Sequence, residues 1–348
     1  MRGLLVLVFL IAAQASPASV EATLAAEDVR SKFSLPNGSA PVQVLVDFAL
    51  YDINEIDSVS ETFEITGILT AQWRDPREAF NASELGITER VLEGEFQFEE
   101  YFVRWHPQIV LQNDSGLFER QAVQLRIQPD GQIRLVQKIT AIVEADLDLR
   151  AFPFDKHRLE VVFSVLGFGP ERVTLFVPEQ VERPLQGVHV PGWIVDGISL
   201  DLAGEERPSR QQGAAVLGVE VTRATSYIRR LITFPMVVIV LLSFSIFWMD
   251  KSSLGDRNGI SFIGVLTGVA FQQTVVGVIP PVAYITLMHA FLFISFLVMA
   301  ATVPINLIVA ALDRRGKTAA GDRVDKHCRW LFPTVYAGLM MVLAIRIL

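Results

Sequence analysis

From Asn258 to Leu312 the chain runs 55 residues without one charged side chain. About 20 apolar residues suffice to cross a bilayer as a helix. Pro280-Pro281 interrupts the run, and the residue before a proline is pushed out of the α region. The run therefore reads as two spans joined by a turn. Leu231 to Met249 adds 19 uncharged residues, and Trp330 to Ile345 adds 16 more. Four spans follow, roughly 227–249, 257–279, 284–312 and 330–347.

The N-terminus carries a different signal. Met1-Arg2 precedes an apolar run, Leu4 to Ala13, and then Ala13-Gln14-Ala15. A short basic start, a brief apolar segment and an A-x-A-like site read as a secretory signal peptide, residues 1–20. With it removed, residues 21–226 would lie outside the cell membrane, or on the periplasmic side of an inner membrane. Residues 227–348 would form the membrane domain, and four crossings would return the C-terminus to the outer side. Segments 250–257 and 313–329 would lie inside. The second holds Arg314, Arg315, Lys317, Arg323, Lys326 and Arg329, as the positive-inside rule requires.

Residues 21–226 alternate polar and apolar instead of following a helical period. Val42 to Phe48, Thr62 to Leu69, Leu159 to Val165 and Val216 to Thr222 read as strands. Gln124 to Ile127 and Ile133 to Val136 flank Pro129-Asp130-Gly131 as a hairpin. Short strands with turn signals imply an antiparallel β-sandwich. Ser83 to Glu93 is the one candidate for a long amphipathic helix here. The fold class is thus a β-sandwich followed by a four-helix transmembrane bundle. The single Cys328 excludes a disulfide framework.

Enzymatic chemistry is not supported. There is no nucleophile elbow, His-Glu-x-x-His, phosphate loop or Cys/His metal pattern. No catalytic residue, metal or cofactor is expected, and His106, His157 and His189 are scattered. The acidic balance, 38 acids against 30 bases, offers no footprint for nucleic acid.

The most specific segment is Ala145 to Leu159, which contains Phe152-Pro153-Phe154-Asp155. This resembles the signature loop of the pentameric ligand-gated ion channels, the Cys-loop family. Ala145 and Leu159 stand where animal members carry paired cysteines, which resembles the prokaryotic branch. Trp73-Arg74-Asp75 and Trp105-His106-Pro107 look like the family's Trp-x-Asp and Trp-x-Pro segments. Arg223, Pro235 and the Gly255-Asp256-Arg257 start of the second span are similar in order and place. The short linker between the third and fourth spans also fits prokaryotic members.

The resemblance implies a homopentamer in a lipid bilayer, conducting monovalent cations and opened by a small molecule or by protons. Its pore face would be Asp256, Gly259, Ile263, Leu266, Ala270, Gln273, Thr274 and Gly277. Polar groups such as these are costly inside a membrane unless they face a cavity or a partner. A ring of five Asp256 carboxylates would favour cations, and Leu266 would close the pore by dewetting. Arg257 would point away from the axis. Asp57, Glu61, Phe152, Pro153, Phe154, Asp155, Arg223 and Pro280 would couple the two halves, with Asp155 and Arg223 as an interfacial ion pair. Exchanging those two charges would separate coupling from a purely structural role.

The agonist site implied by the resemblance lies between subunits, at Ile68, Gln112 and Leu166. None of these is aromatic, so no cation–π box for a quaternary amine is present. Arg207 and Arg210, in the segment Asp201 to Gly213, would either meet an anionic ligand or stay solvated. The competing readings are a non-conducting β-sandwich membrane receptor and a four-helix transporter or membrane enzyme. The polar face of the second span, ending in Asp256, favours the channel, and the split of charge agrees with cations as the permeant ions. Residues 21–226 hold 33 acids and 18 bases, or −15, while the remainder holds 5 and 12, or +7, and −15 + 7 = −8. An acidic ring above a pore would concentrate cations.

Overall fold

A computed structural model describes residues 34–38, 40–102, 104–178, 188–203, 213–249 and 254–345. The expected signal peptide, Arg207 and Arg210 lie outside the described residues. Among the described residues, ten strands form two sheets. The first sheet contains β1 (Val42–Asp57), β2 (Thr62–Arg74), β3 (Arg90–Glu93), β5 (Asp114–Ile127), β6 (Gln132–Glu144) and β8 (Val173–Phe176). It has the order β3-β5-β6-β2-β1-β8. The second contains β4 (Ile109–Leu111), β7 (Lys156–Val165), β9 (Trp193–Leu202) and β10 (Ala215–Arg223), in the order β4-β7-β10-β9.

The alternation read from the sequence is the reason for this layering. Val42, Val44, Val46 and Phe48 on β1 and Phe63, Ile65 and Leu69 on β2 turn inward and are buried. Residues two apart share a face of a strand. Phe48 meets Phe163 of the opposite sheet at 5.2 Å between ring centres. Gly67 is required by this packing, since a Cβ there would lie 2.5 Å from the Phe48 ring and 2.6 Å from the Ala49 carbonyl. Asp75, fully buried, accepts from Arg77 Nε (2.8 Å) and Nη2 (2.7 Å), so the Trp-x-Asp segment is a structural corner.

Two helices interrupt the sheets: α1 (Ala82–Leu85) and α2 (Gly94–Tyr101). The helix expected over Ser83 to Glu93 is not formed. Gly86 takes a left-handed φ of +67° and caps α1 after one turn, and Arg90–Glu93 then pairs with β5 as a strand.

Four long helices follow: α3 (Ser226–Trp248), α4 (Leu254–Val275), α5 (Leu287–Arg314) and α6 (Thr318–Ile345). Their bounds differ from the sequence expectation. The second span ends at Val275, leaving Gly277 in a turn, and the third starts at Leu287, capped by Thr286 whose Oγ1 accepts from the His289 N–H. The fourth begins twelve residues earlier than expected. Arg323, Lys326 and Arg329 therefore sit on a helix, not in a loop; helical periodicity continues past the apolar run because Gly321, Asp325 and Cys328 form a buried stripe. In α3, the turn Arg229–Thr233 is a π-turn just before Pro235. Proline lacks the N–H for its i−4 carbonyl and crowds it, so the helix widens there.

Among the described residues, α3, α5 and α6 are long and apolar enough to cross a membrane. The exception is α4. Its glycines, glutamines and hydroxyls dilute an otherwise apolar helix of 22 residues.

Candidate functional site

The sheet domain meets the helices at a buried charge cluster. Asp155, at the foot of β7, is 2% exposed. Arg223, the last residue of β10, donates from Nε to both Asp155 carboxylate oxygens (2.9 and 3.0 Å) and from Nη2 to Oδ2 (2.8 Å). The same Nη2 donates to Ser58 Oγ at 3.0 Å, tying in the β1–β2 turn. Its guanidinium lies 4.0 Å from the Trp193 ring centre and 4.9 Å from that of Phe152. His157 Nε2 sits 2.7 Å from Asp155 Oδ2. Burial works to raise the Asp155 carboxyl, but hydrogen bonds from His157 and Arg223 and the Arg223 charge outweigh it and hold it below the carboxylate range. Its stabilising contribution is therefore present above the ordinary carboxylate value and lost only as pH falls below it. Mild acid does not discharge this pair.

The loop carrying Asp155 rests on the helical domain. Phe152 and Pro153 are buried and Phe154 is exposed. The Phe152 carbonyl accepts from Met288 N–H (3.2 Å) in the first turn of α5. Leu149 N–H donates to the Tyr284 hydroxyl at 2.9 Å, and Arg150 lies 5.7 Å from the Tyr284 ring centre. Pro280 is buried in the same α4–α5 linker. Asp57 accepts from Val59 N–H (2.7 Å) and Ser60 Oγ (2.8 Å), bonds that hold its carboxyl low and shape the β1–β2 turn. Glu61 stands exposed beside a recess of about 580 Å³ that also holds Glu144, Asp146 and Glu160. Six of the eight expected coupling residues thus lie at this junction, while Phe154 and Glu61 face solvent beside it.

The helix α4 has two faces. Arg257, Ser261, Gly264, Gly268, Gln272 and Val275 recur at steps of four and three and turn into the bundle. Arg257 is fully buried and donates to Asp325 of α6 through Nη1 and Nη2, both at 2.9 Å. Ser261 Oγ accepts from Asn306 Nδ2 of α5 at 2.7 Å. A Cβ on Gly264 would fall 2.5 Å from Ser243 Oγ of α3. At 3.6 residues per turn, the residues expected in the pore centre roughly 200° away from this seam. Asp256, Ala270, Gln273, Thr274 and Gly277 are exposed, with Ile263 63% and Leu266 69%, and Gly259 half-buried.

The expected ligand residues are split between layers. Ile68 sits half-buried on the six-stranded sheet, whereas Gln112 and Leu166, both exposed, flank the β4–β7 pairing of the other sheet. One chain does not bring them together. Leu166 edges a cavity of about 380 Å³ with Phe102, Trp105, His106 and Phe168. Phe102 and His106 also wall a cavity of about 480 Å³ between α2 and the six-stranded sheet. Burial lowers the His106 pKa below its ordinary 6.5, opposed by the Arg104 carbonyl and aided by the Arg120 charge. An unfolded chain therefore takes up this proton first as pH drops below 6.5. The sheet domain is expected to lose stability there, by at most about 1.4 kcal/mol per pH unit. Thermal unfolding of wild type and His106→Gln at pH 7.5 and 5.5 checks this; the variant should show the smaller acid loss.

Sequence reading missed Trp193 and His157 around the ion pair, and it missed Asp325. Asp325 lies 68 residues from Arg257, and no local pattern links them.

A two-sheet sandwich locked onto four helices through a Phe-Pro-Phe-Asp loop defines a ligand-gated channel subunit. A family model for the neurotransmitter-gated ion-channel ligand binding domain matches residues 27–251. The chain belongs to this family, within the Cys-loop superfamily of pentameric ligand-gated ion channels, in the prokaryotic form without loop cysteines. The family is not enzymatic. The chain is 24% identical to a proton-gated ion channel of Gloeobacter violaceus over 312 residues, 89% of this chain and 84% of the relative. It is 23% identical to a gamma-aminobutyric acid receptor subunit beta-like protein of Drosophila melanogaster, over 76% of this chain and 56% of the relative. It is 24% identical to the mouse gamma-aminobutyric acid receptor subunit theta, over 85% and 47%. The chain thus spans about half the length of these two animal relatives.

Proposed function

We propose that five copies of this chain form a cation-selective channel in the cell inner membrane, opened from outside by a small molecule or by protons. Residues 21–226 form the outer domain and residues 227–348 the membrane domain. The α4 helices line the pore with Asp256, Gly259, Ile263, Leu266, Ala270, Gln273, Thr274 and Gly277. Leu266 is the gate, and Ile263 extends the dry zone by one turn. Asp57, Glu61, the Phe152 to Asp155 loop, Arg223 and Pro280 carry the signal. The agonist sits between subunits near Ile68 of one and Gln112 and Leu166 of the next.

The observation that carries this reading is the opposition of the two α4 faces. The adjacent charges Asp256 and Arg257 are sorted, the acid exposed and the base fully buried. A non-conducting bundle has no use for a helix that shows an acid and an apolar stripe on its free side. Ion selectivity follows from the charge of the ring at the constriction. Purified protein in planar bilayers under a salt gradient tests it. Wild type is expected to reverse near the cation potential, and Asp256→Asn to lower the cation-to-anion permeability ratio about tenfold. Anion currents from wild type would overturn the assignment. Pentamers that carry no current across pH and a ligand panel would favour the non-conducting receptor.

A further inference from the structure

We propose that Asp325, on the last helix, is a positioning residue for ion selection: it holds Arg257 inside the bundle and so keeps a cation out of the Asp256 ring. This rests on the reading of Asp256 as the selectivity ring.

Asp256 and Arg257 are neighbours on a helix, about 100° apart around its axis. Five acids and five bases at one mouth would largely cancel each other's field. The fold prevents this by turning Arg257 inward. Its side chain is 0% exposed, and both terminal nitrogens donate to the two oxygens of Asp325 at 2.9 Å. This is the parallel fork that a guanidinium makes with a carboxylate. Arg257 Nε makes no hydrogen bond to a described residue, so the Asp325 pair is what the described residues provide to that guanidinium. A buried charge is stable only while it is paired.

Asp325 owes its place to α6. The buried stripe Gly321, Asp325 and Cys328 recurs at steps of four and three, which keeps these residues on one side of the helix. One turn further along α4, Ser261 and Asn306 continue the polar seam toward α5. The bridge therefore ties the N-terminal turn of the pore helix to the last helix of the bundle.

Without Asp325 the guanidinium has a route out. Its long aliphatic stem lets the charged head reach water while the stem stays buried. Gly255 and Asp256, just before Arg257 on this helix, are both exposed. The cation would settle beside the carboxylate it is now kept from, and the ring would lose its sign.

The test measures reversal potentials of reconstituted channels under asymmetric salt. Asp325→Asn is expected to lower the cation-to-anion permeability ratio about tenfold. The double variant Arg257→Gln with Asp325→Asn is expected to return to within about twofold of wild type, because no stray cation remains. A residue that mattered only for packing would not be rescued by deleting its partner. If Asp325→Asn alone assembles no pentamers, mixed pentamers with excess wild-type subunits carry the same test, with an intermediate ratio expected. Wild-type selectivity in Asp325→Asn or in the mixed pentamers, or a double variant as unselective as the single, overturns the proposal. An unchanged ratio in Asp256→Asn overturns the ring itself and is read separately.

Discussion

Channels carrying Leu266→Thr are expected to leak at rest and to open at far lower stimulus than wild type. Leu266 is 69% exposed on the side of α4 that faces away from the bundle, near the middle of the helix. In the proposed pentamer five isobutyl groups would meet at the axis and leave no partner for water, and an ion would not shed its hydration to cross a dry constriction. Ile263, one turn inward, is exposed on the same side and lengthens that zone. Threonine keeps much of the bulk but offers a hydroxyl. If each exchange favours the wet pore by about 0.8 kcal/mol, roughly one methylene's worth of apolar transfer, five copies shift the balance by about 4 kcal/mol. That corresponds to roughly a thousandfold change in the closed-to-open ratio. Single-channel recording without agonist measures it directly. Resting open probability indistinguishable from wild type would remove Leu266 from the gate.

The second large effect belongs to the junction. Asp155→Asn or Arg223→Gln is expected to cost about 3–5 kcal/mol, the usual penalty for stranding one member of a buried pair. Few pentamers should be recovered, as size-exclusion profiles would show. Exchanging the two charges will not repair the damage, because the two seats differ. Arg223 is held over the faces of Trp193 and Phe152, which carry negative potential and repel a carboxylate. Asp155 receives His157 as well as Arg223, and an arginine in its place would face that imidazole. Arg223→Lys separates stability from coupling. Lysine keeps the charge but not the fork or the stacking, so pentamers should form while the agonist response shifts. Normal responses from Arg223→Lys channels would make the pair structural only.

The distinction between the two charge seats shows where sequence reading stopped. The pairing of Asp155 with Arg223 was legible, because both occur at positions the family resemblance places at the membrane face. The ring of Trp193 was not, since no motif links its stretch of chain to Arg223, and neither were the contacts that Phe152 and Ser58 make with Arg223. The ligand residues show the same limit. Ile68, Gln112 and Leu166 were expected from the family resemblance alone, and one chain does not bring them together. The helix expected at Ser83 to Glu93 failed for two reasons, one local and one not. Gly86 offers a left-handed stop, and the strand Arg90–Glu93 finds a partner in β5, a non-local gain that outweighs helix propensity.

By itself the sequence determined the layers: alternation made strands, uncharged length made spans, and the polar residues of the second span marked it as unlike its neighbours. Those are short-range properties, set by periods of 2 and 3.6 residues and by the thickness of a bilayer. The rotation of each element about its own axis was decided by the tertiary structure alone. Asp256 faces out and Arg257 faces in because Asp325, Asn306 and Ser243 wait on three other helices to receive one side of α4. Rotation is a long-range property, fixed by which buried partners each face finds, and adjacent residues with opposite charges do not reveal it until the bundle closes around them.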